Sequence, residues 1–88
     1  MSNVKTFTND NFRVLAYLYD IKGNDNRARI TQQEIADEMS LSRATVNRII
    51  KQLKDEDYIV QDSVHIGRYL LTEKAISAIE TFRNSDKK

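Results

Sequence analysis

Cysteine is absent from this 88-residue chain, which excludes disulfides, thiolate metal sites and cysteine nucleophiles together. Histidine occurs once, as His65, and a catalytic zinc site needs about three protein ligands; neither a metal nor a cofactor is expected. Proline is also missing, and the only two glycines are Gly23 and Gly67. With no repeat and no low-complexity tract, nothing reads as an interdomain linker, so the chain is expected to form one domain over residues 1–88, with flexible ends at 1–7 and 84–88. No apolar run approaches the roughly 18 to 20 residues of a membrane span. Met1 to Thr6 lacks a basic segment followed by an apolar one; the expected address is the cytoplasm, with no membrane partner. A phosphate-cradling glycine loop and a nucleophile with a partner base are lacking too, so no catalytic residue is assigned and an enzyme is not expected.

What remains is the composition of a small folded chain, with 40% hydrophobic and 31% charged residues. At this size a chain buries only about 60 to 65% of its unfolded surface, so the core must be small. The net charge of +1 is uninformative, but its distribution is not. Arg43, Arg48, Lys51 and Lys54 fall in a stretch without acids, and Asp55, Glu56 and Asp57 follow at once. A binder of polyanions need only gather its cations on one face.

Hydrophobic spacing and capping residues divide the chain into elements. A first helix, capped by Thr8 or Asn9, is expected to run to about Lys22 on the stripe Phe12, Leu15, Leu18, Tyr19 and Ile21, and to stop at Gly23. Ala28 to Ile30 suits one short strand. Thr31 and Glu34 form a capping box for a second helix ending near Met39. After Ser40, Leu41 and Ser42, the hydroxyl of Ser42 caps a third helix from Arg43 to about Asp57. Tyr58 to Gln61 and Arg68 to Leu71 make a hairpin, and Thr72 caps a last helix to about Arg83 with Ala75, Ile76, Ile79 and Phe82 on its apolar face. The fold class is therefore mainly α with a small β-hairpin, in the order helix, strand, helix, helix, hairpin, helix.

The segment from Gln33 to Ile49 carries the strongest signal. Ile35 and Met39 share one face, Ala36 is small where a second helix crosses, Leu41 plugs the corner, and Val46 and Ile49 close the pair. On the third helix Val46, Ile49, Ile50 and Leu53 form one stripe, and a rotation of about 100° per residue puts Ala44, Asn47, Arg48 and Lys51 opposite it. Such a helix fits the major groove, where arginine pairs with guanine, asparagine with adenine and a small apolar group with the thymine methyl. Arg43, Ala44, Asn47 and Arg48 are the base-reading candidates. Ser42, Thr45, Lys51 and the helix-start amides suit phosphates. Lys54 flanks this face, and Arg68 and His65 in the hairpin are weaker candidates for backbone contact. A charged helix face is most often a solvated one, so the weight rests on the turn spacing rather than on the cations. Tyr58, Tyr69 and Phe82 read as core rather than as a stacking surface for single strands.

The stretch ITQQEIADEMSLSRATVNRIIKQLKDEDYI, followed by Leu71-Thr72-Glu73-Lys74-Ala75, resembles the winged helix-turn-helix of MarR-type and Crp-type bacterial regulators over about residues 30 to 83. Ser40 stands where those turns usually have glycine, and Asp62 to Gly67 is shorter and less basic than a typical MarR wing. The resemblance implies a sequence-specific regulator of double-stranded DNA, and because no separate activation or sensing domain is read in the sequence, repression by occupying an operator is the expected mode. Replication or partition control by a plasmid or phage protein is the alternative within DNA binding. A protein-interaction module is the alternative outside it, although that use calls for an apolar outward face. Val14 and Tyr17 widen the apolar girth of the first helix beyond what one small core requires. A homodimer through the terminal helices is expected, with recognition helices about 34 Å apart on a palindromic operator; a monomer or DNA-assisted pairing is the alternative, since the terminal helices are short. No residue identifies a small-molecule effector.

Overall fold

A computed structural model of the protein describes residues 9–61 and 67–86. Its elements are helix α1 (Asn9–Ile21), strand β1 (Arg27–Arg29), helices α2 (Gln32–Met39) and α3 (Arg43–Asp55), strands β2 (Ile59–Gln61) and β3 (Arg68–Leu71), and helix α4 (Glu73–Asp86). This is the winged-helix order expected from the sequence. The three strands form one antiparallel sheet in the order β1-β3-β2, with Ala28 opposite Tyr69 and Val60 opposite Leu70.

Local chemistry sets the boundaries of the two central helices. The Thr31 hydroxyl accepts the Glu34 amide at 3.1 Å and the Glu34 carboxylate accepts the Thr31 amide at 2.9 Å, closing the capping box. Ser42 Oγ accepts the Thr45 amide at 3.0 Å at the start of α3. Both helices end by reversing hand. After α2, Ser40 lies at φ 58° and the Leu41 amide reaches back to the Ala36 carbonyl at 2.9 Å. After α3, Asp57 lies at φ 68° and the Tyr58 amide reaches the Leu53 carbonyl at 2.9 Å. Each is a Schellman closure, and the second explains why α3 stops at Asp55 rather than near Asp57. Serine tolerates the left-handed region less well than asparagine or aspartate. Ser40→Gly is therefore expected to raise stability by about 0.5 kcal/mol, the relief of roughly 1 kcal/mol of steric strain being offset in part by glycine's larger entropy loss; a urea melt beside the parent checks it.

Other boundaries also differ from expectation by one to three residues, strand β2 starting at Ile59 rather than Tyr58. Strand β1 is Arg27–Arg29 because its register opposes Leu70 to Arg68, while the Ile30 amide bonds the Gly67 carbonyl at 2.8 Å as the chain leaves the sheet. Gly67 itself is buried at φ 83°, where a Cβ would meet the Ile30 carbonyl oxygen at an ordinary 3.4 Å, so it is conformation rather than space that calls for glycine. Helix α1 begins with Asn9 as a helical residue, while the alternative cap, Thr8, lies outside the described residues. Helix α4 continues past Arg83 to Asp86; residues 84–86, expected to fray, are helical, and Lys87, Lys88 and residues 1–7 lie outside the described residues.

The core sits between the sheet and all four helices. Leu15, Leu18, Ile35, Ile50, Leu53 and Ile79 are fully buried, and Tyr58 and Tyr69 are buried with them. Two expectations fail here. Val14, read as surplus for a partner, is 0% exposed, because α1 packs against every other helix and two strands. Phe82, assigned to the core, is 53% exposed, its ring resting on Phe12 at 4.5 Å between centroids. Ile21 at 38% and Val60 at 46% are the other large apolar side chains left at the surface of the described residues. Polar ties complete the packing: Asn11, buried on α1, donates to Gln52 of α3 at 2.9 Å. Arg83 pairs with Asp20 through both nitrogens at 2.9 and 3.2 Å. Lys74 lies 4.5 Å over the Tyr58 ring and donates to the Glu56 carbonyl at 2.7 Å, closing off the end of α3.

Candidate nucleic-acid interface

Helix α3 has two sides, and the turn before it decides which one meets solvent. Leu41, partly buried in the corner, and the crossing of α2 draw Val46, Ile49, Ile50 and Leu53 inward, where all four are fully buried. The helical rotation then leaves Ala44, Asn47, Arg48 and Lys51 exposed on the far side. Ser42 and Arg43 are exposed at the amino end, and Thr45 is half-buried. Eight of the expected residues thus lie on or beside one helix, from its cap to its last turn.

The cap does two things at this end. Ser42 Oγ takes the Thr45 amide and donates to Thr45 Oγ1 at 2.9 Å. The other first-turn amides point along the axis with no acid in that turn, and the helix dipole leaves this end positive. At the opposite end Asp55 lies in a shallow recess with Asn47, Arg48, Lys51 and Gln52. The face therefore runs from cationic to acidic, and an anion is favoured toward Ser42 and Arg43.

Two of the expected cations are not gathered onto this face. Lys54 is exposed, but its ammonium donates to Gln61 Oε1 at 3.0 Å, toward β2. Arg68 stands on β3 opposite Arg29. Tyr69 and Leu71, the alternate residues of that strand, face the core, so Arg68 and Leu70 lie on the sheet's other side. His65 and the turn of the hairpin lie outside the described residues.

Sequence reasoning missed Gln32. This half-buried first residue of α2 accepts the Asn47 side-chain amide at 3.2 Å through Oε1, and its side chain neighbours the hydroxyl of the buried Tyr69. Burial pushes the Tyr69 phenol above its ordinary range, while the neighbouring Gln32 side chain and the Arg43 charge pull it back; the phenol stays neutral near pH 7. Asn47 is thus connected to α2. An uncharged residue outside any apolar stripe gave no sign of this in the sequence beyond its place next to the Thr31 cap.

Among the described residues no group of three or more histidine, cysteine, aspartate or glutamate side chains is placed to hold a metal, and no helix is long and apolar enough to cross a membrane.

The family model of the Crp-like helix-turn-helix domain matches residues 12–74. Among solved structures, MepR, a transcription regulator of the Staphylococcus aureus multidrug efflux pump MepA, superposes with a TM-score of 0.73 at 24% identity, over 93% of this chain and 59% of that one. The S. aureus MepR–DNA complex gives 0.72 at 25% identity, over 94% of this chain and 68% of that one. The transcriptional regulator SlyA gives 0.60 at 26% identity, over 84% and 53%. The chain thus spans between half and about two thirds of the length of these regulators. No curated protein matches it by sequence.

Proposed function

Since the chain belongs to the Crp-like helix-turn-helix family, we propose that it is a transcription regulator that binds double-stranded DNA with the exposed side of α3. The observation that carries this reading is the division of that helix: four buried aliphatic residues hold it in place while Arg43, Ala44, Asn47, Arg48 and Lys51 stand in solvent beside a capped, positive helix end. The fold shared with MepR, solved in complex with DNA, supports it. The face is polar, which a protein-docking helix would not favour.

In this reading Arg43, Ala44, Asn47 and Arg48 meet base edges in the major groove, and Ser42, Thr45 and Lys51 meet phosphates together with the first-turn amides. Lys54 reaches the backbone after releasing Gln61, and Arg68 contributes from the sheet's outer side. A bound module occludes its duplex, so repression is the expected sign. Two copies, paired through α1 and α4, would set their α3 helices about 34 Å apart on a palindromic site; the exposed Phe82, its ring tilted against the half-buried Phe12, and Ile21 lie on those two helices.

Fluorescence anisotropy with duplexes selected from a random pool tests the reading. For about five phosphate contacts the slope of log affinity against log salt should be near −4 to −5, and the selected sequences should be palindromic. A chain that retains no duplex of any sequence, even at low salt, is not a DNA-binding protein.

A further inference from the structure

The bond from Asn47 to Gln32 has a consequence for which base is read. In the major groove adenine offers an acceptor, N7, beside a donor, the N6 amine, whereas guanine offers two acceptors, N7 and O6. An asparagine carboxamide matches adenine with its oxygen and one N–H, and an amide free to turn over can present its donors to other edges. Gln32 Oε1 takes one of the two Asn47 Nδ2 hydrogens at 3.2 Å. That leaves Oδ1 and the second hydrogen, one acceptor and one donor in a set order. The reverse orientation, with Asn47 Oδ1 turned to Gln32, would consume the acceptor and leave two donors suited to guanine. Gln32 in turn is half-buried beside Tyr69, which is 1% exposed on β3, so its side chain lies at the edge of the core.

We propose that Gln32 is a specificity-determining positioning residue, which holds the Asn47 carboxamide so that the protein selects adenine over guanine at one position of its site. The inference rests on the DNA-binding reading above and adds a residue that need not touch DNA. Tyr69, Gln32 and Asn47 form a relay from the sheet through α2 to the outer side of α3.

The test compares the wild type with Gln32→Ala, Tyr69→Phe and the double variant, first without DNA and then on selected duplexes. In ¹⁵N-labelled protein the Asn47 side-chain amide protons should resonate apart from solvent-exposed asparagines and move toward them in Gln32→Ala; an unchanged Asn47 signal overturns the relay whether or not DNA binds. With DNA, the position whose adenine preference Asn47→Ala erases should lose about fivefold in adenine-over-guanine preference in Gln32→Ala, the worth of one hydrogen bond. The salt slope and the other base positions should be unchanged. Tyr69→Phe should weaken preference at the same position and add nothing in the Gln32→Ala background. Because Tyr69→Phe keeps the buried ring, it reads the relay even if Gln32→Ala proves unstable. Undiminished adenine preference in both single variants, or a loss spread evenly over all positions, overturns the proposal. A wild-type chain that binds no duplex overturns the reading beneath it instead, and the amide signal then decides separately whether the relay exists.

Discussion

Val46→Asp will leave the chain without a cooperative fold at 25 °C. Val46 is 0% exposed on α3, which packs against α1, α2 and β2. The cations of α3 lie on its other side and cannot reach a carboxylate placed there. Aspartate would take up its proton rather than stay charged, and burying the unpaired polar group still costs about 2 to 7 kcal/mol. Loss of the valine's own burial adds about 1.5 to 2 kcal/mol. Against this, a chain of 88 residues has roughly 4 to 13 kcal/mol to lose, and small domains sit near the lower end. Far-ultraviolet circular dichroism and a urea melt check the outcome, with Val46→Ala as a control that should stay folded at a lower midpoint. A Val46→Asp protein melting within about 1 kcal/mol of the parent would mean that the inward stripe of α3 is misassigned, and with it the outward face.

The two sides of α3 were legible in the sequence because short-range rules decide them. The Thr31–Glu34 box and the Ser42–Thr45 cap are contacts between residues three apart, and once the start of a helix is known its rotation assigns every later residue to a side. Val46, Ile49, Ile50 and Leu53 on one side, and Ala44, Asn47, Arg48 and Lys51 on the other, follow from that alone. Periodicity does not say how many neighbours an element has. Val14 looked surplus because only one covering face was assumed for α1, whereas α1 is central and covered on several sides. Nor does periodicity say whether a neighbour covers a given turn: Phe82 continues the stripe of α4, yet it meets the Phe12 ring with half its side chain in solvent. Lys54 and Arg68 were visible as cations, but their directions depend on Gln61 and on the parity of β3. Gln32 was beyond reach for a related reason: its neighbours Asn47 and Tyr69 belong to other elements, and an amide carries neither charge nor hydrophobic period to announce the pairing.

Arg48→Ala combined with Lys51→Ala is expected to weaken binding to the selected duplex by about 10²- to 10³-fold while leaving the fold intact. An arginine paired with guanine contributes about 1 to 3 kcal/mol to the correct site. A lysine on phosphate acts on all sequences alike, and its loss should reduce the salt slope by about 1. Both side chains are exposed, and alanine is the best helix former, so the melt should shift by no more than about 0.5 kcal/mol. The two singles should also separate: Arg48→Ala flattens base preference at one position, whereas Lys51→Ala weakens every duplex and leaves preference as it was. Lys54→Ala and Arg68→Ala form a graded comparison, since Lys54 must first leave Gln61 and Arg68 lies across the sheet from the core; each should matter less than Arg48→Ala. Anisotropy titrations at two salt concentrations resolve all of these. Wild-type affinity in the double variant would move the DNA contact off this side of α3, because no other arrangement of the face leaves both cations idle.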